Sequence, residues 1–207
     1  MKSIRENCGV FGIYSASRCV GDIYQGIGFL QHRGQEYCGI ATFNGQIHQV
    51  THYGKVGTSF TDENLAYLEG DWGIGHVSLK ERQPVQWEST NIGEIALAFS
   101  GNIMNAEALL QGMMSRGKVF HKAYDIEIIS NVILEEGDLV RGIAALAEKV
   151  RGSYTLVVLT QNGIYAARDS YGFRPLILGK GDGRFAVSSE SRVQTGHMGN
   201  TLDRAHG

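Results

Sequence analysis

A chain of 207 residues with 43% hydrophobic and 19% charged side chains and two prolines has the composition of one globular domain, below the roughly 250–300 residues at which single cores stop growing, and this excludes a disordered or fibrous chain. Nineteen lysines and arginines against 21 aspartates and glutamates leave a formal net charge of -2 with no long block of one sign, so no basic footprint for nucleic acid or an anionic membrane is visible. The initial MKSIREN lacks the apolar core of a secretory signal, and no apolar stretch approaches the ~20 residues that span a bilayer, so the expected location is cytoplasmic.

In chain order, GVFGIY (9–14) and CGIATF (38–43) predict short buried strands, with a helix over 21–32 between them. Asn44-Gly45 followed by QIHQVTHY predicts a hairpin. TDENLAYLEG offers Thr61 as a helix cap and Gly70 as a stop, and WGIGHVSL and EIALAFSGNI predict strands on either side of a polar loop over 80–90. Asn105 stands where it could cap a helix through AEALLQGMMSR, and DIEIISNVILEE and LVRGIAALAEKVRG continue with apolar residues at helical spacing, forming one layer of three helices. The last third, YTLVVLTQ, Asn162-Gly163, IYAARD, RPLILGK and RFAVSSE, predicts a hairpin-rich meander. Strands at both ends with helices grouped between them imply an α+β domain whose packed sheets carry helices on their outer faces.

The three cysteines, Cys8, Cys19 and Cys38, are odd in number and show no C-x-x-C spacing, which argues against a disulfide framework and a structural zinc site; the seven histidines show no metal-ligand pattern either. No metal and no cofactor are expected. A lone cysteine at a strand start is more often a small buried hydrophobe than a nucleophile. The company of Cys8 changes that estimate: ENCGVFGI at its own position, LQHRGQEYCGI at 30–40, GIGHV at 73–77, SGNIMNA at 100–106, YDIE at 124–127 and RDSYGFRPLILG at 168–179. From Cys8 to about residue 199, these segments resemble the glutaminase domain of glutamine phosphoribosylpyrophosphate amidotransferase (amidophosphoribosyltransferase), a class II glutamine amidotransferase of the N-terminal nucleophile hydrolase type.

The resemblance implies a four-layer αββα sandwich over 8–207, with 1–7 as a leader whose removal makes Cys8 the first residue and frees its α-amino group as a base. An α-amino group titrates near ~7.7–8.0 and a cysteine near ~8.5, so both can change protonation at neutral pH. By the same resemblance, Cys8 attacks the side-chain amide of glutamine, releasing ammonia and leaving a glutamyl thioester for water. The backbone N–H of Gly101, beside Asn102, meets the substrate or oxyanion, Asp125 holds the glutamine α-ammonium, and Arg33 lies near the nucleophile. His32 and His76 read as structural, and Arg168, Arg174 and Glu190 as arginine–carboxylate pairing. Glutamine as substrate, ammonia supply to purine nucleotide synthesis and a homo-oligomer are implied as well.

The chain departs from the family pattern at three points. Ser78 stands where the family's G-H-x-R-[YW] motif has an arginine for the glutamine α-carboxylate, a loss of a charged hydrogen bond of roughly 1.5–3 kcal/mol unless Lys80 or Arg82 replaces it. Ser100 stands where the family has the asparagine that donates to the oxyanion, a change that typically costs about 10²–10³ in rate. No phosphoribosyltransferase domain with its acidic motif follows in this sequence, so a separate transferase partner or a missing domain is implied. Two alternatives therefore stand beside the glutaminase: a non-catalytic or regulatory glutaminase-like subunit, and an amidase for another amide.

Overall fold

The computed structural model describes residues 8–181, 183–195 and 202–204. The expected leader, residues 1–7, lies outside the described residues. Strand β1 (Gly9–Tyr14) leads into helix α1 (Val20–Phe29), a single tight turn (Gln31–Arg33) and the hairpin β2 (Tyr37–Phe43) and β3 (Ile47–Tyr53). Two short helices, α2 (Val56–Ser59) and α3 (Asp62–Tyr67), precede β4 (Trp72–Ser78), β5 (Val85–Ser89) and β6 (Gly93–Ile103). Helices α4 (Ala106–Met114), α5 (Asp125–Glu135) and α6 (Leu139–Lys149) follow, and then β7 (Gly152–Thr160), β8 (Gly163–Arg168), β9 (Ile177–Gly181), β10 (Arg184–Ser188), α7 (Arg192–Thr195) and β11 (Leu202–Arg204).

The strands form a seven-stranded sheet in the order β11-β9-β10-β1-β4-β2-β3 and a four-stranded sheet in the order β5-β6-β7-β8. Period-two alternation along β6 explains how one strand serves two apolar layers. Ile95, Leu97 and Phe99 pack with Met113, Ile129 and Leu146 of the helices α4, α5 and α6, whereas Ala96 and Ala98 pack with Val10, Ala41 and Ile74 of the other sheet. The third layer joins Phe11, Ile13, Ile40 and Val77 to Ile23 and Ile27 of α1. Helix, sheet, sheet, helix is thus the order of the layers, the αββα sandwich expected from the sequence. Small residues fill the space between the sheets: a Cβ on Gly12 would stand 2.9 Å from Val157 Cγ1.

Two local expectations are corrected. The stretch 80–90 is not all loop, because Val85–Ser89 is the edge strand β5, paired from Val85↔Leu97 to Ser89↔Gly93. Its alternation is real, with Val85 and Trp87 packed on the helix-side core and Gln86 and Glu88 exposed, but charged flanks hide it in the sequence. Asn105 occupies the cap position of α4 without a capping hydrogen bond. Its amide instead donates to the Lys149 carbonyl at 2.9 Å and accepts from the Arg151 N–H at 2.8 Å, tying α4 to the end of α6. Thr61 does cap α3, in a reciprocal pair with Asn64. Among the described residues no helix is long and apolar enough to cross a membrane.

Candidate active site

Cys8 sits immediately before β1, 7% exposed, and its main-chain carbonyl is held from two directions. Its carbonyl accepts from Arg33 Nε at 3.0 Å and from the Ser100 hydroxyl at 2.8 Å. The start of the strand is fixed by Ser189, whose hydroxyl accepts from the Val10 N–H at 3.2 Å and whose N–H donates to the Val10 carbonyl at 3.1 Å. β1 is paired on both sides, with Gly9 opposite Val77 of β4 and Phe11 opposite Ser188 of β10. A residue at the head of a doubly paired strand has little freedom, which is what a reacting atom needs.

Arg33 reaches Cys8 because of the glycine that follows it. The backbone of Gly34 lies against Ser78 so closely that a Cβ would stand 2.3 Å from the Ser78 nitrogen, and its extended φ of -159° makes this a requirement for space, not for an unusual conformation. Arg33 Nη1 pairs with Glu190 Oε1 at 2.9 Å, the oxygen that also meets His32 Nε2 at 3.0 Å. Burial works against the ionised Glu190, and the bonds from Arg33 and His32 outweigh it, holding the carboxyl below its usual range.

Burial pushes the Cys8 thiol up; a hydrogen bond from Ser78 opposes this, Glu81 adds to the rise, and the Leu79 backbone and the Arg174 charge pull it back down. The thiol is therefore at rest as the neutral form and needs a base to become a nucleophile. Ser78 is fully buried and its oxygen also accepts from the N–H groups of Lys80 and Glu81 at 3.0 and 3.1 Å. This turn folds the chain back after β4 and brings Glu81 to the site. Gln83 then fastens Glu81 to β6: its carbonyl oxygen accepts from the Phe99 N–H at 2.6 Å, and its amide donates to Glu81 Oε1 at 3.2 Å.

Gly101 and Asn102 follow Ser100 along β6, opposite Tyr154 and Ser153 of β7. A Cβ on Gly101 would stand 2.4 Å from the Ser153 carbonyl oxygen and 2.8 Å from Phe99 Cζ, so only glycine fits there. Asn102 lines a cavity of about 630 Å³ with Tyr154, Asp169 and Phe173. Asp125, the first residue of α5, accepts from the Ile103 N–H at 3.3 Å and so joins the helix start to the end of β6. The charge of Asp125 also acts on Glu81, whose carboxyl burial pushes up to about 7 with Asp125 adding to the shift.

Direct contacts therefore join Cys8 to Arg33, Ser78 and Ser100. Asp125 is joined to the cluster through Glu81, and Gly101 and Asn102 through strand continuity. His76 is fully buried, its Nε2–H donating to the Phe99 carbonyl at 3.0 Å, which is a structural role. Lys80 and Arg82 are exposed at the surface. Glu81 and Arg174 are the charged neighbours of Cys8 that the sequence did not single out as site residues. Glu81 falls in a polar stretch that reads as loop, and Arg174 in a segment that reads as structural ion pairing. Among the described residues no group of three or more histidine, cysteine or acidic side chains is placed to hold a metal ion.

Residues 74–194 match the family described as a glutamine amidotransferase domain. The chain is similar to the amidophosphoribosyltransferase of Methanocaldococcus jannaschii, 35% identical over an alignment 203 residues long, gaps included, that covers 91% of this chain and 43% of the relative. It is similar to that of Bacillus subtilis at 32% identity over 203 residues, covering 92% of this chain and 42% of the relative. The fold superimposes on the glutamine phosphoribosylpyrophosphate amidotransferase of B. subtilis complexed with ADP and GMP, with a TM-score of 0.82 and 28% identity over 96% of this chain and 44% of that one. The chain thus spans less than half the length of the curated relatives it matches. With an αββα sandwich that sets a pinned cysteine at the head of a central strand, the chain belongs to the glutamine amidotransferase domain family.

Proposed function

We propose that this domain hydrolyses the side-chain amide of a glutamine through a thioester on Cys8 and supplies the ammonia to a phosphoribosyltransferase in purine nucleotide biosynthesis. The observation that carries the reading is the double clamp of Arg33 and Ser100 on the Cys8 carbonyl, 3.0 and 2.8 Å away, which fixes a cysteine main chain at the head of a paired strand. A cysteine packed only as a small hydrophobe has no use for such a clamp.

In this reading, removal of residues 1–7 turns the Cys8 nitrogen into a free amine. That amine takes the thiol proton, and the thiolate adds to the amide carbon. The Gly101 N–H, next to Asn102, stabilises the oxyanion, and the tetrahedral centre expels ammonia with the proton returned from the amine. Water then cleaves the thioester and restores the thiol. Asp125 holds the substrate α-ammonium at the start of α5, while Ser78 and Ser100 line the pocket and hold Cys8 in place. The surrounding chain or partner that receives ammonia belongs to the same proposal, as do a homo-oligomer and a cytoplasmic location.

A second reading, a non-catalytic glutaminase-like subunit, is favoured by the commitment of both serines: Ser78 accepts two backbone N–H groups and Ser100 donates to Cys8 itself. Intact-mass measurement of the purified chain under reducing conditions, followed by a glutamine-dependent ammonia assay, separates the two. Loss of residues 1–7, with ammonia release that disappears in Cys8→Ala, is the outcome expected of the enzyme. Release unchanged in Cys8→Ala overturns it, and a retained leader with no release makes the non-catalytic subunit the better account.

A further inference from the structure

Three consecutive residues, at the end of β10 and just past it, grip the head of β1. Ser188 stands opposite Phe11 in the sheet, Ser189 exchanges hydrogen bonds with the Val10 main chain, and Glu190 reaches Cys8 through Arg33. Glu190 Oε1 accepts from Arg33 Nη1 at 2.9 Å, while Nε of the same guanidinium donates to the Cys8 carbonyl at 3.0 Å. A planar fork held at two points, on a carboxylate and on a carbonyl, has its orientation fixed. Glu190 is held in turn. Its N–H donates to the Ser188 hydroxyl at 3.2 Å, and Oε1 also meets His32 Nε2 at 3.0 Å, a ring whose Nδ1 meets the Phe29 carbonyl at the end of α1 at 3.1 Å.

An ion pair in open solvent contributes little, but the cationic side of this one is sheltered, the Arg33 side chain being 13% exposed. A second cation acts on the same guanidinium: burial holds the Arg174 group below its usual range, and the charge of Arg33 adds to that lowering. Arg33 and Arg174 thus repel each other, and the Glu190 carboxylate offsets the repulsion and keeps Arg33 in place. The clamp matters most once residues 1–7 are gone. A first residue has no covalent tie on its amino side and frays unless its remaining groups are held. The Cys8 carbonyl, with Arg33 and the Ser100 hydroxyl on it, is then the point that sets where the sulfur and the amine stand. Misplacing a reacting group by about 1 Å costs on the order of 10²-fold in rate.

We propose that Glu190 is a positioning residue for Cys8: it anchors Arg33 Nη1 so that Nε stays on the Cys8 carbonyl, and His32 braces it from the end of α1. Its effect on the reaction passes through Arg33. The inference rests on the reading of Cys8 as the nucleophile only where turnover is concerned, because the restraint on Cys8 can be read without a substrate.

The test is iodoacetamide alkylation of the full chain, followed cysteine by cysteine by peptide mass, with Cys19 and Cys38, both fully buried, as internal controls. In Glu190→Ala the Cys8 thiol is expected to react about fivefold faster or more, because a loosened main chain exposes it, while Cys19 and Cys38 stay within about twofold. Glutamine-dependent ammonia release, measured in parallel, is expected to fall about tenfold or more in kcat with KM within about twofold. Glu190→Gln keeps an acceptor oxygen for Arg33 Nη1 and is expected to recover most of both losses. Added to Arg33→Ala, Glu190→Ala should change the Cys8 alkylation rate no further, since it acts through that arginine. Alkylation of Cys8 that Glu190→Ala leaves unchanged, a rise shared equally by all three cysteines, or an effect that adds in full to that of Arg33→Ala overturns the proposal. So does an unchanged kcat in a chain that hydrolyses glutamine. A selective rise at Cys8 in a chain that releases no ammonia in any form supports the positioning role and overturns the hydrolytic reading of Cys8 instead.

Discussion

The Ser100 hydroxyl donates its only proton to the main-chain carbonyl of Cys8 at 2.8 Å, and Arg33 Nε donates to that same oxygen at 3.0 Å. β6 of one sheet and the turn after α1 on the outer side of the other thus meet on one atom. Removing the hydroxyl leaves the carbonyl with one buried donor instead of two. Ser100→Ala is expected to lower the unfolding free energy by about 1–2 kcal/mol in urea titration. Measured beside it, Arg33→Ala should cost more, because it also leaves Glu190 without its main cation.

Gly34 is a spacing residue. With a Cβ placed 2.3 Å from the Ser78 nitrogen and 2.6 Å from its Cα, Gly34→Ala forces backbone apart at the point that aims Arg33. The expected loss is more than about 2 kcal/mol in chemical denaturation. Gly21 is the control: it is exposed in α1, and a methyl added there would meet nothing within 4 Å, so Gly21→Ala should be neutral or stabilise by up to about 1 kcal/mol.

Glu81 makes stability fall as pH rises. Burial lifts its carboxyl to about 7 in the folded chain, above the roughly 4.3 of an unfolded glutamate, so the folded state binds more protons between those values. Its contribution is complete below pH ~4.3 and is lost as pH rises through 7. Thermal denaturation from pH 4.5 to 8 should show Glu81→Gln gaining on the unsubstituted chain as pH increases, on the order of 1–3 kcal/mol across the range. A difference between the two that is flat with pH would contradict the burial of this carboxyl.

His76 acts in the opposite sense. Full burial lowers its imidazole to about 3, below the unfolded ~6.5, so between those values the unfolded chain binds the extra proton. The stability that depends on neutral His76 is present above pH ~6.5 and drains away as pH falls toward 3. His76→Gln keeps a donor for the Phe99 carbonyl and cannot titrate. It should be the less stable protein at pH 7 and should lose less stability than the unsubstituted chain between pH 6.5 and 4, as followed by circular dichroism.

Residues with a repeating environment were legible from the sequence. The alternation in EIALAFSGNI, the helical spacing in DIEIISNVILEE and the Asn-Gly turns each reflect a local period set by backbone geometry, and they correspond to β6, α5 and the β2–β3 and β7–β8 hairpins. β5 escaped because five residues at a sheet edge bury one face only, and the polar side chains of the other face resemble a loop. Asn105 escaped for a related reason: a cap residue and a residue that bonds to a distant carbonyl look the same in one dimension.

By itself, then, the sequence determined the α+β class, the family and the identity of the cysteine at the head of β1, because periodicity and motif spacing are properties of neighbouring residues. Only the tertiary structure decided that Ser100 and Arg33 converge on one carbonyl and that Gly34 must be bare to clear Ser78. It also set Glu81, from an inconspicuous polar stretch, beside Cys8 and Asp125. Those relationships join residues up to 92 positions apart, and distances of that kind are set by how two sheets and their helices pack, with no local pattern to announce them.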